Sequence, residues 1–216
     1  MDNSRNRLVE IILPVYIATP ALYPIINRCL ESLHEYYPDI SVRVVDDGSP
    51  EAFPQEWLEY IDVIQKQFDN RGYVRTVNHG LASSEADILI VANDDLVFKK
   101  GDLDRFYGLA DMVIASPADT ASSPDDRFGA IFGMTRNTYM LLGPLDESYV
   151  HFYADLEYYD RAKQTGVTIE KWPEIVVDHS ESATYKHVNK NELLAKDEKT
   201  YRTAYPTNWW LAVTNK

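Results

Sequence analysis

The residues best suited to chemistry in this chain are two pairs of neighbouring acids, Asp46-Asp47 in "VVDDGS" and Asp94-Asp95 in "LIVANDDLVF". Each follows a run of apolar residues. Carboxylate oxygens suit a hard divalent cation such as Mg2+ or Mn2+. Two acids after an apolar run also make a solvated turn or a helix cap, and Asp-Gly is a common turn signal. Taken singly, each pair reads first as a turn. Asp155 stands near the start of a helical stretch. It is either an acid stabilised by the helix dipole or a general base fixed on a rigid element. His179 follows the apolar run "EIVV" and is structural, exposed or a metal ligand.

The chain as a whole limits what these residues can serve. Its 216 residues suit one α/β domain with a small C-terminal extension, and 45% apolar residues are enough for a core. A formal net charge of −13 repels nucleic acid and anionic lipid. If the substrate is also anionic, the sign must be reversed locally, as a divalent cation does; acidity also simply keeps proteins soluble. No run reaches the roughly 18–20 apolar residues of a membrane span. The first apolar stretch, residues 8–15, is interrupted by Glu10 and does not resemble a leader. One cysteine, Cys29, forms no internal disulfide, which fits a cytoplasmic location.

The elements that must position these groups follow from periodicity. "LVEIILPVY" reads as a buried strand ending at Pro14, and "ALYPIINRCLESLHEYY" has helical spacing. "SVRVVD" is a second strand, closed by Gly48. A helix is expected from about Pro54, and "IDVIQKQF" fits its continuation or a third strand equally. "GYVRTVNHGLAS" places Tyr73, Val77 and Leu81 on one helical face, with Arg75 and Asn78 off it. The strand "ILIVA" comes next. This βαβ alternation predicts a mainly parallel sheet. Ligands of such sheets bind beyond the carboxyl ends of the strands, where both acidic pairs fall. Further on, "GAIFGMTR" reads as a strand, "NTYMLLG" as a short helix stopped by Gly143, and residues 153–166 as an amphipathic helix. "VTIEKW" and "EIVVDHS" read as strands. A break near residues 180–187 precedes a polar helix at 189–202.

In this order the motifs resemble the family-2 glycosyltransferases of GT-A fold. The likeness covers residues 8–185. "EIILPVY" is similar to the family's opening strand, "VRVVDDGSP" to its V-V-D-D-G-S element, and "DNRGYVRTVNHGL" to its N-x-G…A-x-N-x-G stretch. "LIVANDDLVF" stands where the family has D-x-D. "GAIFGMTRNTYMLLGPLDESY", "FYADLEYYDRAKQTG" and "VVDHSES" resemble its later elements. The resemblance implies an α/β, Rossmann-like GT-A domain over residues 1–185. Its nucleotide-binding half is about 1–98 and its acceptor half about 99–185, with a helical extension at 186–216.

It also implies an activity: inverting transfer of a single sugar from a UDP-, GDP- or dTDP-sugar to a hydroxyl of a glycan or other acceptor, with Mn2+ or Mg2+. Carried over by position, Asp47 holds the nucleobase, and Pro14 and Tyr16 line the nucleoside pocket. Asp46, Asn78 and Asp94 belong to the nucleotide site, and Arg75 approaches the diphosphate. Asp95 is the main metal ligand, Asn93 occupies the first D-x-D position, and His179 completes the metal or diphosphate site. Asp155 is the base. Two positions depart from the pattern: Asn93 replaces an acid, and Ala154 replaces the acid before the base. Glu157 competes for that role, but helix geometry turns it about 200° from Asp155. No Q-x-x-R-W stretch occurs, which argues against a processive synthase. An inactive sugar- or nucleotide-binding domain is the alternative. A sugar-nucleotide pyrophosphorylase fits less well, since "LPVYIATPALYP" lacks glycine and basic residues. Specificity is expected in residues 118–127 and around 149–153. "NWW" is a candidate surface for docking on the domain or on a second copy in a homodimer.

Overall fold

Apolar residues occupy consecutive positions in the first strands because both faces of the sheet are covered. The computed structural model describes residues 7–115, 131–172 and 190–205. In β1 (Val9–Val15), Ile11, Leu13 and Val15 point to one core, while Ile12 joins the other. This is the period of two expected of a strand, with neither face left polar. β2 (Ser41–Asp46), β3 (Val63–Lys66) and β4 (Ile88–Ala92) follow. β5 (Met112–Ala115), β6 (Ile131–Thr135) and β7 (Ile169–Trp172) complete one seven-stranded sheet of order β3-β2-β1-β4-β6-β5-β7. All neighbours are parallel except β6, which runs antiparallel to both β4 and β5. The mainly parallel α/β sheet predicted from the sequence is therefore present.

The helices divide between the faces. α1 (Tyr23–Tyr36), with Pro24 in its first turn, buries Ile26, Cys29, Leu30 and Leu33 in the first core. α2 (Tyr73–Ser83) and α5 (Ala154–Gln164) supply Val74, Val77, Leu81, Tyr158 and Ala162 to the second. α3 (Asp104–Tyr107) and α4 (Arg136–Leu142) are short, and Gly143 ends α4 as expected. α6 (Lys190–Ala204) is the polar C-terminal helix, and it too reaches the second core, through Tyr201. Glu10, which interrupts the first apolar run, is buried in a pair with Arg43 of β2 at 2.9 Å.

Some details differ from the sequence reading. β1 continues one residue past Pro14, paired in register with β2 as far as Val15–Asp46. Instead of a helix from Pro54 there is a 3-10 turn over Gln55–Glu59, and "IDVIQKQF" yields β3. β5 and α3 were not foreseen, since "DMVIA" is too short to show a period. Asn78 is buried rather than off the packed face, because its amide finds backbone partners inside. The strand expected at "EIVVDHS" lies outside the described residues, as does the segment 118–127.

Candidate active site

Among the parallel strands the winding direction reverses at one place. The chain winds outward through β1, β2 and β3, then returns to set β4 on the other side of β1. Ligands of open α/β sheets bind in the crevice outside that switch point. The segments leaving it are residues 14–17 after β1 and 93–95 after β4. Both hold predicted site residues. Pro14, Tyr16 and Asn93 are half-buried.

The turn after β2 is stitched to this edge. Asp47 N–H donates to the Val15 carbonyl at 2.8 Å, and Ile17 N–H donates to Ser49 Oγ at 2.8 Å. Asp46, fully buried, accepts the Ser49 N–H at 2.8 Å and has Lys66 Nζ 3.5 Å from its other oxygen. Within this structure Asp46 thus shapes the turn. Gly48 has φ +72, and a Cβ there would lie 2.5 Å from the backbone of Asp69, so the turn and the following loop touch without room for a side chain. Asp47 accepts the N–H groups of Arg71 (2.7 Å) and Gly72 (2.9 Å), just before α2. Burial pushes its carboxyl above the usual range, with these backbone donors opposing.

Asp94 and Asp95 are only 6% and 7% exposed. Their charge is felt beneath the turn: the buried Cys29 thiol is pushed up by burial, then by Asp94 and Asp95. Its sulfur lies 3.9 Å from the Asn93 carbonyl oxygen. Two shielded carboxylates at the mouth of a parallel sheet suit a hard cation whose remaining ligands are water and substrate phosphate. Among the described residues, no group of three or more His, Cys, Asp or Glu is gathered into a ready cage. His179 lies outside the described residues.

On the other side of the site, α2 and α5 are joined through the loop after α4. The Asn78 amide donates to the Leu145 carbonyl at 2.9 Å and accepts the Leu145 N–H at 2.8 Å. Arg75 pairs with Glu147 at 3.3 Å, and both are half-exposed, so the pair is weakly held. Val74 N–H donates to the Val150 carbonyl at 3.2 Å. The loop then enters α5 through Tyr153, whose φ of 61 is the left-handed region that side chains disfavour. Asp155 follows in the first turn, half-buried, with one oxygen accepting the Leu156 N–H at 2.9 Å. Glu157 is committed elsewhere: Arg161 grips it with two bonds of 3.0 and 2.8 Å, and also donates to the Leu142 and Pro144 carbonyls. Of the "YVHFY" aromatics, Tyr149 is core, and His151, Phe152 and Tyr153 are half-buried.

Sequence reasoning missed Ser49, Glu147 and Asp197 as partners of these groups. Ser49 was visible as the last residue of "DDGS". Asp197 had a subtler signal: with Leu194, Tyr201 and Tyr205 it forms a stripe at helical spacing.

A parallel sheet with an acidic crevice at its switch point, and an antiparallel strand inserted beyond it, defines a GT-A nucleotide-sugar transferase fold. The solved structures agree. PcManGT, a mannosyltransferase from Pyrobaculum calidifontis in complex with GDP-Man and Mn2+, superposes with a TM-score of 0.63 at 19% identity, covering 79% of this chain and 56% of that one. S. aureus TarS gives 0.63 at 14% identity, over 78% of this chain and 36% of its own. The chain belongs to glycosyl transferase family 2, which it matches over residues 10–137. A protein of Mycobacterium tuberculosis (strain CDC 1551 / Oshkosh), named among its candidate glycosyltransferases, is 27% identical over 117 residues, 51% of this chain. The chain spans 33% of that relative's length. No helix among the described residues is long and apolar enough to cross a membrane.

Proposed function

We propose that the chain moves a single sugar from a nucleotide-diphosphate donor to an acceptor hydroxyl, with inversion at the anomeric carbon. The observation that carries this reading is the shielded Asp94-Asp95 pair at the switch point of a family-2 fold. Mn2+ or Mg2+, held by Asp95 with Asn93 and His179 beside it, would supply positive charge to the diphosphate as it leaves. Pro14, Tyr16, Asp94 and the Asp46-Asp47 turn shape the nucleoside site. Arg75 can release Glu147 and turn to the diphosphate at little cost, since that pair is exposed. Asn78 holds the facing loop. An acceptor hydroxyl is a poor nucleophile, so Asp155 takes its proton during attack. The new bond forms at the anomeric carbon on the face opposite the departing diphosphate.

The test is isothermal titration of UDP, GDP and dTDP, each with and without Mn2+, against the wild type and Asp95→Ala. GDP is the first choice because PcManGT was solved with GDP-Man and Mn2+. Metal-dependent binding of one nucleotide, lost in Asp95→Ala, is the expected result. A folded protein that binds none of the three would overturn the reading.

A further inference from the structure

The base proposed above sits on a helix whose approach is held from an unexpected quarter. Asp197, in the middle of the polar helix α6, is fully buried. Solubility and helix propensity do not explain a buried carboxylate there, and such a group is costly unless well hydrogen-bonded. Its partners are three consecutive backbone amides on the way into α5. Oδ2 accepts the N–H groups of His151 (2.9 Å) and Phe152 (2.8 Å), and both oxygens lie 3.2 Å from the Val150 nitrogen. The next residue is Tyr153, in its left-handed conformation, then Ala154 and Asp155.

One turn further along α6, Tyr201 completes the grip. Its hydroxyl donates to Asp160 Oδ2 of α5 at 2.7 Å, and its ring lies 5.3 Å from that of Tyr153. Positions 197 and 201 share one helical face. That face therefore holds both the approach to α5 and its body. A left-handed tyrosine persists only where its surroundings over-determine it, and α6 is what surrounds it.

We propose that Asp197 is a positioning residue: through the amides of residues 150–152 it fixes the strained turn that aims Asp155 at the acceptor hydroxyl. This rests on the reading of Asp155 as the base. Misplacing a catalytic group by about 1 Å costs on the order of a hundredfold in rate.

The experiment uses the full chain and four variants: Asp197→Ala, Asp197→Asn, Asp155→Asn, and Asp155→Asn combined with Asp197→Ala. Amide hydrogen exchange is read first. In Asp197→Ala, residues 150–156 exchange about tenfold faster or more, while β1, β2 and β4 stay protected. Turnover is then followed as nucleoside diphosphate released from GDP-mannose, UDP-glucose and dTDP-glucose with Mn2+, water serving as acceptor. In Asp197→Ala, kcat falls about a hundredfold with donor KM unchanged. Asp197→Asn, which keeps one acceptor oxygen, falls less. In the Asp155→Asn background the second substitution costs nothing more, because no base remains to be misplaced. Unchanged exchange at 150–156, a raised KM at unchanged kcat, or an additive loss in the double variant each overturns the proposal. Wild-type turnover by Asp155→Asn instead identifies the base assignment as the failure, even if the loop still loosens in Asp197→Ala.

Discussion

The two sides of the crevice use the same device and draw it from different places. On the side proposed for the donor, the buried carboxylate of Asp47 accepts two successive amides, Arg71 and Gly72, just before α2. On the side proposed for the acceptor, the buried carboxylate of Asp197 accepts three, from Val150 to Phe152, just before α5. Asp47 belongs to the strand end that shapes the site. Asp197 belongs to a helix outside the stretch 10–137 that matches the family. The Asp47 clamp thus lies inside the stretch that matches the family, and the Asp197 clamp draws on a helix that the match does not reach. Under the proposed function, with the Asp47 turn serving the nucleotide and Asp155 the acceptor, the two clamps can be disturbed independently.

The largest expected effect separates the two sides by chemistry. Asp155→Asn lowers transfer by about 10²–10⁴-fold while calorimetric binding of the preferred nucleotide stays as in wild type. If nucleotide binding fell equally, the two sides would not be separable. Next is the donor clamp. Asp47→Ala removes two charge-assisted backbone bonds and destabilises the fold by about 3 kcal/mol, read from urea unfolding, and weakens nucleotide binding as well. Gly80→Ala tests how tightly α2 is seated. A Cβ there would lie 2.5 Å from Ile12 Cγ2 and 3.0 Å from Val45 Cγ2. Overpacking of this kind costs about 1–3 kcal/mol, with urea midpoints as the measure and a neutral result showing that α2 can shift.

The smallest effect belongs to the acceptor loop. Burial lowers the pKa of His151 from 6.5, with the nearby Asp197 opposing. The unfolded chain therefore binds a proton at a pH where the folded one does not, so stability rises with pH across this window. It is lost as pH falls from about 6.5 toward the lowered folded value. His151→Gln removes that slope, seen as a flatter dependence of melting temperature on pH between 5 and 7. An unchanged slope would mean that another group sets it.

The strands that lead into the two acidic pairs were largely legible in the sequence. Ser41–Asp46 and Ile88–Ala92 appear as predicted, because a strand buried on both faces leaves an unmistakable apolar run and its end can be read from the acids that follow. Asp155 was legible as an early helical acid and does lie in the first turn of α5, while Glu157 is tied to Arg161. Asn78 was misread. An amide that bonds two backbone groups of a loop 67 residues away leaves no local trace. Asp197 left only a faint trace: it falls in a helical stripe with Leu194, Tyr201 and Tyr205, but an acid in "NELLAKDEKTYRTA" reads as solvated, and only the loop it meets makes its burial tolerable. β5 escaped because its four residues are too few to show a period; it pairs only with β6 and β7, both later in the chain.

That pairing has a consequence for the order of assembly. The four strands β3-β2-β1-β4 are complete once residue 92 has been made, and they pair only among themselves apart from the outer edge of β4. That edge must wait for β6, which runs in the opposite direction and is synthesised after β5. During translation these four strands can form while the rest is still being made. The newborn chain then carries an open sheet edge at β4, a template for pairing with the wrong partner, until residues 131–135 arrive to close it. Slow synthesis between residues 92 and 135 would lengthen that exposure, so aggregation during expression should respond to codon choice in this stretch more than in any other.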